Sequence, residues 1–158
     1  MGVAGVGKTT VGEMLAAELG WLFYDADELH PAANVEKMRH GTPLTDADRA
    51  PWLAAIRALI HELRRAGRSA VIACSALKQA YRDYLTEQSP EVRVVYLKGD
   101  FDLIHRRLVR RAGHFMNPDL LQSQFATLEE PEGVLRVDAS RPPAEIVGEI
   151  EEGLGIRD

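Results

Sequence analysis

The chain contains one cysteine, Cys74, in 158 residues. That excludes an internal disulfide and any cysteine-rich zinc site. No apolar run is long enough to span a bilayer and no signal-peptide pattern is legible, so the expected location is the cytoplasm. Positive charge is in the minority: 19 Lys and Arg stand against 24 Asp and Glu, a net charge of −5. This balance argues against nonspecific nucleic-acid binding, and neither nucleic acid nor a membrane is an expected partner. There is no internal repeat, no low-complexity tract and no long linker. A chain of this length is expected to form a single domain over residues 1–158 with a substantial core.

The N-terminal segment MGVAGVGKTTVGEML is the most informative stretch. Gly2, Val3, Ala4, Gly5, Val6, Gly7, Lys8 and Thr9 match G-x-x-x-x-G-K-[ST] at every position. The glycines let the backbone turn so that its N–H groups converge on anionic oxygens. Lys8 supplies a cation for the β- and γ-phosphates, and Thr9 a hydroxyl for Mg²⁺. Val11, Met14, Leu15 and Leu19 then follow at helical spacing, so the loop runs into a helix N-terminus, where the dipole favours a phosphate. Thr10 is either a further nucleotide ligand or an ordinary first-turn residue, and is grouped with the loop.

Strand-like and helix-like segments alternate along the rest of the chain. Residues 21–24, 69–74, 92–97 and 134–137 read as strands. Residues 51–66, 78–86, 100–111, 120–128 and 143–154 read as helices. The 69–74 run lacks alternation, as a strand buried on both faces should. This order predicts an α/β fold with a parallel sheet.

Further polar groups fall at strand ends and helix starts. Asp25 ends the first strand-like run, on the sheet edge where ligands bind in open α/β folds, and is placed to help hold Mg²⁺. Asp27, two residues on, is placed to accept a proton from a hydroxyl acceptor. Both are also good turn or cap residues, and His30 before Pro31 is as readily a turn residue as a substrate ligand. Thr45 and Asp48 resemble a helix capping pair. Arg49 offers a fork for a carboxylate, while Trp52, one turn on, reads mainly as core. Ser75, Lys78 and Arg82 follow a strand end and can present donors, and Cys74 reads as a small buried hydrophobe. Arg106, Arg107, Arg110 and Arg111 lead into Gly113, as a mobile lid requires; an exposed basic helix is the plainer reading.

The segments YDADELHP, GTPLTDADRAPWL, ACSALKQAYRDYL and GHFMNPDLLQSQFATLEEP resemble those of gluconokinases, small phosphate-loop sugar-acid kinases related to shikimate kinase. The resemblance runs from Gly2 to about Pro131 and then more loosely. It implies transfer of phosphate from ATP to the 6-hydroxyl of D-gluconate, with Mg²⁺, and a homodimer. It implies a nucleoside-monophosphate-kinase-like P-loop fold of strand order 2-3-1-4-5, a substrate-binding helical region about 31–66 and a lid about 107–118. Under it Lys8, Asp27 and Arg111 are catalytic, with Asp27 as base. Arg107 packs on the adenine opposite the loop at 138–143, and Arg49, Lys78, Arg82 and His30 join Asp27 in binding gluconate. Thr9 and Asp25 serve the metal. Ala4 and Val6 stand where the family usually has serines, Ala112 where an acidic residue is common, and Asn117 where proline is usual.

Shikimate kinase is the nearest alternative, and a nucleotide-binding protein without catalysis a further one, against which Lys8, Asp25 and Asp27 speak. A GTPase-like switch lacks its N-K-x-D guanine motif and its D-x-x-G here. The phosphate loop normally hangs from a strand, and only Met1 precedes it. In the order implied above that strand is central. Its absence would orphan backbone groups at about 1–3 kcal/mol each, against a typical total stability of about 5–15 kcal/mol. The expectations are that Met1 is an internal methionine at the end of a first strand and that a gap lies beside the loop.

Overall fold

A computed structural model describes residues 1–110 and 120–156. Helix α1 (Lys8–Leu19) starts directly after Gly7, whose φ of 107° only glycine adopts readily, and stops at Gly20, whose N–H closes on the Ala16 and Ala17 carbonyls. Strand β1 (Leu22–Asp25) follows, then a 3₁₀ turn (Ala26–Leu29) and α2 (Ala32–Arg39). Helix α3 (Asp46–Arg65) leads to β2 (Ala70–Ala73), α4 (Gln79–Thr86), β3 (Val95–Lys98) and α5 (Phe101–Arg110). Past the undescribed stretch come α6 (Leu121–Thr127), β4 (Leu135–Asp138) and α7 (Pro143–Leu154).

All four strands pair in parallel, with β1 on β2 from Leu22↔Ala70 to Asp25↔Ala73, and β3 on β4 from Val95↔Leu135 to Lys98↔Asp138. Each pair occurs in the expected order, but among the described residues the strands form two separate two-stranded sheets, so that order is not formed as a whole. Met1 and Gly2 bridge the pairs at their C-terminal end. The Met1 nitrogen donates to Val95 O (2.6 Å), Leu97 N–H to Met1 O (3.0 Å) and Gly2 N–H to Ser75 O (3.2 Å). The rest of the interval is a cavity of about 580 Å³, lined by residues 69–74 of one pair, by Val94, Val95 and Leu97 of the other, and by Val11, Ile56 and Ile60. It lies where the expected order puts its central strand. Ala70, Val71 and Ile72 are consequently half-buried rather than buried on both faces.

Two apolar clusters flank the cavity. One joins α1, β3, α5, α6, β4 and α7 through Leu15, Leu97, Ile104, Leu121, Val137 and Val147; the other joins α3, α4 and the 3₁₀ turn through Ala26, Trp52, Ile56 and Leu85. α3 starts five residues before the expected Pro51 because a complete capping box drives it: Asp48 N–H donates to Thr45 Oγ1 (3.1 Å) and Thr45 N–H to Asp48 Oδ2 (2.9 Å).

Arg82 needs correction as a substrate ligand. It is buried on α4, and its guanidinium donates to Ala76 O (2.7 Å), Leu77 O (3.0 Å), Gln79 Oε1 (2.9 Å) and Glu129 O (2.7 Å). It ties the loop after β2 to the chain at Glu129. Replacing it with methionine leaves buried carbonyls without donors, at about 1–3 kcal/mol for such a group. Arg82→Met is therefore expected to lose about 3 kcal/mol in urea unfolding and to keep its KM for a sugar acid within about twofold. An unchanged midpoint with a raised KM would return Arg82 to the site.

Candidate active site

The site grows from a helix start with no cap of its own: α1 has neither a side-chain cap nor an acidic residue in its first turn. Its leading N–H groups and the positive end of its dipole suit an anion. The preceding loop is held from outside. Gln124 Oε1 accepts from Ala4 N–H at 2.7 Å, and Arg107 donates to Val6 O (3.1 Å) and to Ala139 O (2.9 Å). Gly5 lies against α5 so closely that a Cβ there would come within 2.8 Å of Leu108. The Val3 and Val6 side chains belong to the core, so these residues serve the loop through their backbone. Lys8 Nζ donates to Gly2 O and Val3 O, both at 2.9 Å.

One cleft is lined by this loop, including Lys8 and Thr9, and by Asp27, His30, Arg49, Trp52, Ser75, Tyr81 and Gln124. Beside it Thr9 Oγ1 donates to Asp25 Oδ2 (3.0 Å), while Asp25 Oδ1 accepts the Asp27 N–H (3.0 Å). The metal-partner and turn-cap readings of Asp25 are therefore compatible in a single geometry. A hydroxyl beside a carboxylate is a hard-oxygen pair that fits Mg²⁺, an ion that keeps waters and substrate phosphates among its ligands. Among the described residues no cluster of three or more His, Cys, Asp or Glu could hold a metal by itself.

Opposite the loop, His30 lies flat on Trp52, ring centroids 4.3 Å apart and planes 10° from parallel. Burial, followed by the Arg49 charge, pushes its pKa down from 6.5 to about 4, so the imidazole is neutral at pH 7. Arg49, one turn before Trp52, donates to the Tyr81 hydroxyl at 3.1 Å. That hydroxyl donates to Asp46, which also accepts from Lys78 Nζ at 2.9 Å. Lys78 is thus not among the cleft-lining residues: its ammonium supports Asp46, which in turn holds Tyr81. The two hydrogen bonds hold the Asp46 carboxyl below the usual range. Thr10 is exposed and outside the cleft lining. Cys74 is buried, and desolvation pushes its thiol up to about 11, which suits a packing role. Arg111, Ala112, Gly113 and Asn117, with most of the expected lid, lie outside the described residues.

Tyr81 and Gln124 are the site residues that sequence reasoning passed over. Tyr81 sits between Lys78 and Arg82, both taken for ligands, and Gln124 lies within a segment that carried the family resemblance. A neutral amide or a tyrosine on a helix gives no motif signal of its own.

The buried neutral His30 links stability to pH. The unfolded chain takes up a proton near pH 6.5 that the folded chain accepts only near pH 4. Stability from this group is complete above pH 6.5 and falls as pH drops toward 4. Urea midpoints measured over that window are expected to fall less steeply for His30→Phe than for the parent chain. Equal slopes would show that His30 is solvated.

The sequence matches the family model described as "Shikimate kinase" over residues 4–139. A gluconokinase of Gluconobacter oxydans is 49% identical over 153 residues, covering 95% of this chain and 86% of that protein. Among solved structures, a gluconokinase from Sinorhizobium meliloti is 45% identical with a TM-score of 0.83, covering 98% of this chain and 89% of that one. An unliganded sugar kinase from Janibacter is 42% identical with a TM-score of 0.92, covering 99% and 92%. With its phosphate loop, Asp27 and the α3 arginine in one cleft, the chain belongs to the gluconokinases of the shikimate kinase family.

Proposed function

We propose that this chain transfers the γ-phosphoryl group of ATP to the 6-hydroxyl of D-gluconate, giving 6-phospho-D-gluconate and ADP. The observation that carries the reading is the shared cleft: Lys8 and Thr9 of the phosphate loop line it together with Asp27, His30 and Arg49. Phosphoryl transfer asks mainly for alignment and charge stabilisation. The loop N–H groups and Lys8 bind the phosphates. Arg49, oriented by Tyr81, takes the gluconate carboxylate through its guanidinium fork. Asp27 orients the 6-hydroxyl and accepts its proton, and neutral His30 offers hydrogen bonds to the polyol. Thr9 and Asp25 would hold Mg²⁺, which when bound neutralises charge on the phosphates. Arg107, between the loop and Ala139, borders the expected adenine position.

The same reading makes residues 1–158 one kinase domain, with a substrate-binding region at 31–66 and a lid at 107–118 in which Arg111 meets the migrating phosphoryl group. It describes a cytoplasmic homodimer whose ligands are ATP and gluconate, without nucleic-acid or membrane partners. The net charge of −5 supports that, and among the described residues no helix is long and apolar enough to cross a membrane. Relatives at 43–49% identity carry the name gluconokinase, which favours gluconate over shikimate as acceptor.

A coupled assay of ADP release over gluconate, shikimate and nucleoside monophosphates tests this. Gluconate is expected to be the preferred acceptor; turnover of shikimate without gluconate would overturn the assignment. Asp27→Asn is expected to lose about 10²–10⁴-fold in kcat while binding ATP normally, and Lys8→Ala to lose turnover and weaken ATP binding. Near-normal kcat in Asp27→Asn would remove Asp27 from the chemistry.

A further inference from the structure

The 3₁₀ turn that carries Asp27 is hydrogen-bonded to α3 through the Trp52 side chain. Trp52 is 1% exposed and its indole N–H donates to the Ala26 carbonyl at 2.7 Å. Ala26 immediately precedes Asp27 and is itself fully buried, so no water competes for that carbonyl. The face of the same indole carries His30, at the far end of the turn. One tryptophan therefore holds both flanks of Asp27, while Asp25 holds its N–H. Asn34 ties His30 in turn: its Nδ2 lies 3.2 Å from His30 Nδ1 and donates to Asp48 O at 2.8 Å, back on α3.

Arg49 lies on the same helix, three residues before Trp52, and is oriented from outside by Tyr81. Three residues along a helix are nearly one turn, so the arginine and the indole are neighbours on one rigid backbone. The group that meets a carboxylate and the anchor of the group that meets a hydroxyl are thus set by one element. We propose that Trp52 is a positioning residue that fixes Asp27 relative to Arg49, making α3 a ruler that selects acceptors by the distance between their carboxylate and terminal hydroxyl. This rests on the roles of Asp27 and Arg49 proposed above.

The consequence is a specificity that one hydrogen bond controls. A six-carbon aldonate bridges the two groups when the turn is pinned. Five- and seven-carbon aldonates bring their terminal hydroxyls short of Asp27 or beyond it. Releasing the Ala26 carbonyl lets the turn shift; misplacement on the ångström scale costs the matched acceptor up to about a hundredfold in rate, while the mismatched ones lose less.

Trp52→Phe in the full chain removes the N–H donor and keeps an aromatic ring under His30. The expected result is a kcat for gluconate lower by about tenfold or more, KM for gluconate and ATP within about twofold, and a preference for gluconate over five- and seven-carbon aldonates reduced about tenfold. In case phenylalanine disturbs folding, benzothienylalanine at position 52, in a Trp21→Phe background, keeps the indole shape and deletes only the donor. The same losses are expected there. Parent-like kcat and parent-like acceptor ratios in a folded variant would overturn the proposal. So would a uniform loss across all acceptors, which marks a packing residue. Asp27→Asn is assayed alongside. If it retains kcat, the base assignment has failed; if it is inactive while both Trp52 variants match the parent, the ruler has failed.

Discussion

A loop that offers its N–H groups to phosphate cannot use the same groups to hold its own shape. In this chain the conflict is resolved by contacts made from outside. Arg107 takes the Val6 carbonyl, Gln124 takes the Ala4 N–H, Gly2 reaches Ser75, and Gly5 rests against Leu108 with no room for a side chain. The loop therefore depends on α5, α6 and the end of β2, elements that are distant in sequence. A change in any of them is felt at the phosphates, because the loop has little regular structure with which to resist.

The sheet shows where that support is made. A strand in the interval between β2 and β3 would pair with both neighbours along its length. Here only Met1 and Gly2 reach across, at the end nearest the loop, and the interval behind them is a cavity of about 580 Å³. The loop is supported where it needs support for chemistry, at the C-terminal edge of the strands. The apolar walls farther back include Val71, Ile72 and Val95, which pack against the two clusters and also face the cavity.

Much of this was legible in the sequence, for identifiable reasons. The phosphate loop is readable because glycine spacing, a lysine and a hydroxyl are each required by the anion. α7 was bounded correctly at Pro143 and Leu154, where proline can open a helix and Gly155 close it. The start of α3 was misplaced because Pro51 looks like a first-turn residue, although a capping box five residues earlier carries the helix through it. Arg82 was misjudged because a lone arginine after a strand end resembles an anion ligand. What decides its role is the set of backbone carbonyls around it, two from the loop just before α4 and one, Glu129 O, from a distant segment. Tyr81 and Gln124 were passed over for the same reason, since their importance lies in what they touch.

The arrangement of α3 shows why long-range contacts matter more than motifs in the acceptor half of the cleft. The phosphate half is built from contiguous residues, so a local pattern describes it. The acceptor half draws Asp27 and His30 from one turn, Arg49 and Trp52 from a helix, and Tyr81 from another. No local pattern can relate these positions. Their relation is carried by a buried indole N–H on the Ala26 carbonyl and by a partly buried guanidinium that donates to a tyrosine hydroxyl. At the buried Ala26 carbonyl one well-placed donor fixes a geometry that several exposed ones would not, because water cannot replace it at little cost. The chemistry common to phosphate-loop kinases is therefore written in the loop, and under the proposal above the choice of acceptor lies in the packing that joins α3 to the strand-end turn.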